Sequence, residues 1–210
     1  MGFDLYGLNP KINQDYTQRY NEIMKEYGTG DGWIDWQKDI PEDVKEEYFE
    51  LKSEYEEKNI GYYFRNNVWW WRPLWSYVID NCPFLTEDEA QAGGWNDGKE
   101  IDEIKALLIA STLEDLIESG AVKKHEKEYE DNRKKIESKN KLIQNKMDKI
   151  TEIVKEKYGE LAPKDYPEPH RTEWTKLLES KDWGGSYPFD EDNVKKFALF
   201  CKESGGFEIY

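Results

Sequence analysis

At 210 residues the chain is long enough for one domain with an elaboration and a sizeable buried core. Charged residues make up 36% and aromatics 15%, an aromatic content that excludes a disordered chain. The formal net charge of −15 disfavours DNA, RNA or anionic lipid as a partner across the whole surface, and reads either as plain solubility or as a decoy for a basic nucleic-acid channel.

Residues 2–8 alternate Phe3, Leu5 and Gly7 against Asp4 and Tyr6, and Asn9-Pro10 closes them, which predicts a short strand. Tyr16, Tyr20, Ile23, Met24 and Tyr27 recur at helical spacing until Gly28. The glycine-rich turn that follows resembles the middle of an EF-hand loop, with Asp31, Gly32, Ile34 and Asp35 in register. Tyr27 and Lys38 stand where the first and last calcium ligands belong, so no metal site is expected. Pro41 and the acidic pair Glu42-Asp43 open a second helix with the stripe Val44, Tyr48, Leu51, Tyr55.

The segment Tyr62–Trp75 holds four of the nine tryptophans. Aromatics bury the most area per residue and also make the strongest contact anchors, so this block belongs to the core, to a binding surface, or to both. Read as a helix bent or started near Pro73 and running to Asn81, it places Val68, Trp71, Trp75 and Val78 on a core face. Arg65, Trp69, Arg72, Ser76 and Asp80 fall on the other face. A tryptophan with arginines at i−4 and i+3 can stack on guanidinium, and both arginines could grip a carboxylate or phosphate. The alternative is an interior ion-pair network with the many carboxylates.

Leu85-Thr86-Glu87 starts another short helix that Gly93-Gly94 breaks. Asn96-Asp97-Gly98 reads as a cap for a central helix over Ile101–Ser119, or as a carboxylate placed in a pocket. That helix is apolar over a wide face: Ile101, Ile104, Leu108, Leu113, Leu116, Ile117. Beyond Gly120, Val122, Tyr129, Ile136, Ile143 and Ile150 recur every seven residues, a seam suited to a coiled coil or helical hairpin. The other core position is polar at Asn132, Arg133 and Asn140, which argues against an autonomous zipper. A continuous helix there would span roughly 55 Å and is expected to project. Gly159 and the prolines at 163, 167 and 169 end it. A short helix over Arg171–Ser180, a last helix with the stripe Val194, Phe197, Ala198, Cys201, and a terminal strand at Phe207–Tyr210 complete the chain.

Residues 120–158 carry 12 Lys and Arg against 8 Asp and Glu, a net +4 beside −19 for the remainder. A mildly basic insertion in an acidic body is the organisation this predicts, with residues 1–119 and 160–210 as the body and 120–159 as the insertion. Cys82 and Cys201 are expected to be free and buried in a reducing compartment, and no basic-then-apolar leader or 18-residue apolar run is present, so a cytoplasmic protein is expected. His125 and His170 have no partner at metal-ligand spacing, and no Walker loop, nucleophile elbow or GxGxxG occurs. No cofactor and no catalytic residue is assigned.

Five stretches carry a resemblance: Gly2-Phe-Asp-Leu-Tyr-Gly-Leu-Asn-Pro10, Tyr63-Phe-Arg-Asn-Asn-Val-Trp-Trp-Trp-Arg-Pro-Leu-Trp75, Asn96-Asp-Gly98, Tyr187-Pro-Phe189 and Ser204-Gly-Gly-Phe-Glu-Ile209. Together they resemble an uncharacterised bacteriophage and bacterial protein family. Relatives of that type carry a short connection where this chain has its long helix, which implies that the helix is inserted.

The expected fold is α+β and mainly α, a helical body with a small sheet from the two chain ends plus the long helix or hairpin. The expected function is binding by a phage-type accessory protein, with inhibition of a host or defence macromolecule as one form. The alternative is a small-molecule or nucleotide-binding enzyme. The candidate contact residues are Arg65, Asn66, Asn67, Trp69, Arg72 and Asp97, toward a protein partner or a small anionic ligand. Oligomerisation through residues 122–156 is a further expectation.

Overall fold

A computed structural model describes residues 2–30 and 32–210. In chain order the elements are β1 (Gly2–Gly7), α1 (Gln18–Tyr27), α2 (Glu42–Lys58), β2 (Tyr63–Asn67), α3 (Val68–Asn81), α4 (Glu87–Ala92) and β3 (Lys99–Ile101). There follow α5 (Glu103–Glu118), α6 (Ala121–Tyr158), α7 (His170–Glu179), α8 (Glu191–Glu203) and β4 (Phe207–Ile209). The fold is α+β and mainly α. The chain forms two compact units, one of the residues up to Gly120 with Glu191–Tyr210, the other of Ala121–Asp190. Residues 160–190, expected in the body, therefore cluster with the long helix. Among the described residues no helix is long and apolar enough to cross a membrane.

In the first unit the two chain ends pair as expected, Leu5 opposite Ile209 and Gly7 opposite Phe207. The sheet is larger than those ends alone. All four strands run antiparallel in the order β2-β1-β4-β3, with β2 and β3 closing its edges. Strand alternation sends Phe3, Leu5, Ile101, Phe207 and Ile209 inward, where all are buried. Against them lie buried residues of α3 (Trp71, Leu74, Trp75, Val78), α5 (Ala106, Ile109, Leu113) and α8 (Val194, Phe197, Phe200). Trp71 stacks on Phe3 at 5.4 Å and on Trp75 at 5.2 Å, and takes the edge of Phe197 at 5.7 Å. Each indole N–H keeps a partner indoors: Trp71 donates to the Gly93 carbonyl at 2.7 Å and Trp75 to that of Ala90 at 2.8 Å. Burying such rings stabilises by about 3 kcal/mol each before the hydrogen bonds are counted.

Three expectations need correction here. The tryptophan block is not one helix, because Tyr63–Asn67 pairs with β1 from Gly2↔Asn67 to Tyr6↔Tyr63. The helix starts at Val68 rather than near Pro73, because the Asn67 side chain accepts from the N–H groups of Trp69 and Trp70. Asn96-Asp97-Gly98 does not cap the central helix. It leads into β3, and Asp102 caps α5 by accepting from the Lys105 N–H.

The wide apolar face of residues 101–119 is also split. Ile101 belongs to β3, and α5 turns its Ala106–Ile109–Ala110–Leu113 stripe inward while Ile104 is 72% exposed. The small alanines explain this, since they let the backbone of α5 approach α8 closely. An ion pair between Lys202 and Glu114 at 2.7 Å ties the same two helices.

Helices α1 and α2 carry a separate apolar cluster of Tyr20, Ile23, Ile34, Ile40 and Tyr48. Tyrosine rings stack through it, Tyr16 on Tyr55 at 3.6 Å, Tyr16 on Tyr20 at 4.0 Å and Tyr20 on Tyr48 at 5.6 Å. Asn59, wholly buried, holds the incoming loop. Its Oδ1 accepts from the N–H groups of Asn13 and Gln14, and its Nδ2 donates to the carbonyls of Gln14 and Tyr55.

In the second unit α6 is continuous over 38 residues. Its seam (Ile136, Ile143, Met147, Val154) is met by the chain's own following segment, which folds back through α7 and a short turn at Trp183–Ser186. Gly185 sits so close to Ile136 that a Cβ on it would lie 2.8 Å from the Ile136 side chain. The polar seam position has a partner as well, since Asn140 exchanges two hydrogen bonds with the Asp182 backbone.

Candidate functional site

The six residues singled out from the sequence occupy different settings of the first unit. Arg65 lies on β2, opposite Asp4 on β1, and its Nε is 3.5 Å from the Asp4 carboxylate. It is therefore not the i−4 helical neighbour of Trp69. Asn66 points inward and donates to the Asn193 side chain at 2.9 Å. Asn67 is occupied as the α3 cap. Asp97 is exposed in the loop before β3, beside Asn96, whose side chain donates to the Gly2 carbonyl at 2.8 Å.

Trp69 and Arg72 share one side of α3 at i and i+3, and both are exposed. Trp69 is 48% exposed, whereas Trp71, two residues on and on the opposite side of the helix, is wholly buried. The helix thus divides its indoles: Trp71 and Trp75 close the core, Trp70 is half-buried, and Trp69 stays exposed on the side that carries Arg72.

A second feature comes from residues outside that set. Strand alternation that sends Phe3, Leu5, Phe207 and Ile209 inward turns Asp4, Tyr6, Glu208 and Tyr210 outward. With Trp33 these residues line a groove of about 450 Å³. Trp33 reaches it from the turn after α1, closed by the Gly28–Ile34 bridge and by Thr29, whose N–H and hydroxyl both donate to the Trp33 carbonyl. Gly30 and Gly32 take φ near +95°, a conformation that suits glycine and lets the turn fold this tightly. A smaller cavity of about 160 Å³ continues beside it, walled by Tyr6, Tyr16, Tyr20, Trp33, Tyr48, Lys52 and Tyr62.

The groove is aromatic and acidic. Tyr6 lies 5.2 Å from Tyr63 and meets Tyr210 edge-on at 6.1 Å. The Tyr63 hydroxyl donates to the Asp4 carboxylate, so Asp4 is held between a phenol and Arg65. Burial, then the nearby Asp4 charge, pushes the Tyr6 phenol up, and burial with the Asp4 hydrogen bond does the same for Tyr63. The Glu208 carboxylate raises Tyr210. These phenols are neutral donors at physiological pH.

The Asp31 position of the EF-hand-like stretch lies outside the described residues. Around it, Lys38 donates its ammonium to the carbonyls of Glu26 and Gly28, and Asp35 accepts from the Gln37 N–H. Among the described residues no group of three or more His, Cys, Asp or Glu is placed to hold a metal ion. Cys82 and Cys201 are free and buried, and burial pushes the Cys82 thiol up to about 11.

The sequence carried a signal for the groove, because the outward half of each terminal strand could be read from the same alternation that marks the core. What joins Tyr6, Trp33 and Tyr210 is strand pairing between the chain ends and a turn fold, neither of which leaves a local motif. No protein-family model, curated protein or solved structure matches this chain.

Proposed function

We propose that this protein acts by binding, as an accessory factor of bacteriophage type directed at a host macromolecule, and that the Trp69–Arg72 side of α3 makes the contact. The observation that carries the reading is the exposure of Trp69 on a helix whose Trp71 and Trp75 are buried. A half-exposed indole costs apolar hydration in the isolated protein, and tryptophan and arginine are each among the residue types enriched at energetically dominant contact positions. The accessory role of phage type rests on the motif resemblance read from the sequence. Two residues that the enzyme alternative would use are partly engaged, the Asn66 Nδ2 with Asn193 and the Asn67 Oδ1 with the α3 cap. The acidic composition favours a partner with basic surface.

Site-specific photo-crosslinking tests the assignment. A benzoylphenylalanine at position 69 should yield one discrete adduct from host lysate, whereas the same group at Lys164 in the second unit should not. The same adduct pattern from both positions would remove the α3 side from consideration.

A further inference from the structure

The groove on the outer face of the sheet has a chemistry that the α3 side lacks. Three π faces, those of Tyr6, Trp33 and Tyr210, stand around two carboxylates, Asp4 and Glu208. In the β3–β4 register Glu100 stands directly opposite Glu208. Like charges directly opposite on an antiparallel pair destabilise a sheet, and a cation between or beside them relieves that repulsion. The cations already near serve walls of this groove, leaving Glu208 as its unneutralised carboxylate among the described ion pairs. Arg65 is paired with Asp4, and Lys52 lies 6.0 Å from the Trp33 ring centre with Glu56 at 3.7 Å. Counting Asp4, Glu100, Glu208 and Arg65, the outward sheet face keeps an excess of negative charge beside its rings.

We propose that this groove binds a small organic cation of the alkylated ammonium type. Such a head carries a diffuse positive charge on an apolar body. Indole and phenol faces attract it through their quadrupoles, and the carboxylates add the Coulombic component without needing a tight coordination geometry. A compact metal ion would need several oxygens converging at short range, and among the described residues no group of three or more His, Cys, Asp or Glu is placed to hold one. An anion would meet Asp4 and Glu208. The groove volume of about 450 Å³ suits a head with a short attached chain. Such a head occurs on a free choline-like molecule and on a methylated lysine of a peptide. This inference stands apart from the α3 surface and does not depend on it.

The test is titration of the full chain by calorimetry and by protein-observed NMR with choline and with 3,3-dimethylbutan-1-ol, its uncharged isostere. Choline should bind saturably, about tenfold or more tighter than the isostere, and should shift resonances of Trp33 and Tyr210. Trp33→Ala and Glu208→Gln should each weaken choline by about fivefold or more. Trp33 is 57% exposed, so that variant should melt with the parent. A trimethyllysine peptide that outbinds choline would assign the head to a protein tail, and equal affinity would assign it to a free ligand. Equal binding of choline and its isostere overturns the proposal, as does the absence of saturable binding by every probe.

Discussion

The Trp75 indole occupies the space in which a side chain on Gly93 would begin: a Cβ there would lie 2.0 Å from its Nε1. The same turn supplies the carbonyl of Gly93 to Trp71 and that of Ala90 to Trp75. The end of α4 is thus keyed to the two rings that close the core.

Gly93→Ala should therefore destabilise by about 3 kcal/mol, an overpacking cost, with the backbone itself unstrained at φ −67°. Urea denaturation measures it. The double variant Gly93→Ala with Trp75→Phe should be less destabilised than the sum of the two singles, because the smaller ring makes room. Strict additivity would mean that the two residues are not coupled.

Asn59 is the second keystone. Replacement by Leu keeps the branched shape but takes the amide away from the N–H groups of Asn13 and Gln14 and from the Gln14 carbonyl, while the Tyr55 carbonyl keeps the Asn59 backbone N–H. The expected loss is about 3 kcal/mol. Amide exchange should show residues 9–16 losing protection before the sheet does. Unchanged protection in that loop would contradict its dependence on Asn59.

Acid should weaken the α4–α5 contact. Burial works to raise the Glu89 carboxyl, but the Lys105 ammonium at 2.5 Å and the Thr86 N–H and hydroxyl outweigh it and hold it below the ordinary carboxylate value. A carboxyl lowered in the folded state stabilises above its unfolded pKa, and that gain is lost as pH falls through the folded value. Glu89→Gln should cost about 2 kcal/mol at pH 7. The difference from the parent should shrink below about pH 4. A gap that persisted at pH 2 would rule out the charge as its cause.

The thiols provide a test of core integrity. Both cysteines are buried, and burial raises both thiols, Cys82 to about 11 and Cys201 well above its ordinary range. A thiol-specific chromogenic reagent at pH 8 should react with neither in the folded protein and with both in urea. Rapid native labelling of either would contradict this packing.

Much of the architecture was legible because it is periodic. The terminal strands follow from the alternation of Phe3 and Leu5 with Asp4 and Tyr6, and α6 follows from its seven-residue seam. The edge strands were harder to see. Tyr63–Asn67 runs without a break into the tryptophans, and Lys99–Ile101 is three residues long with a single buried side chain, so neither shows a period. The inward face of α5 is not legible from hydrophobicity, which favours Ile104 and Leu108, whereas close packing against α8 favours Ala106 and Ala110. Of the candidate contact residues, Trp69 and Arg72 share the helical side that spacing predicts, and the structure exposes both, where spacing alone leaves open an interior ion-pair network. Arg65 leaves it because β1 recruits its segment as a strand.

The most direct measurement is the dissociation constant of the crosslinked partner for the parent protein and for Trp69→Ala, taken at equal folded fraction. If Trp69 is the anchor, the variant should bind about 30-fold more weakly, about 2 kcal/mol, while its melting temperature stays with the parent. An unchanged dissociation constant in a fully folded Trp69→Ala protein would contradict the account.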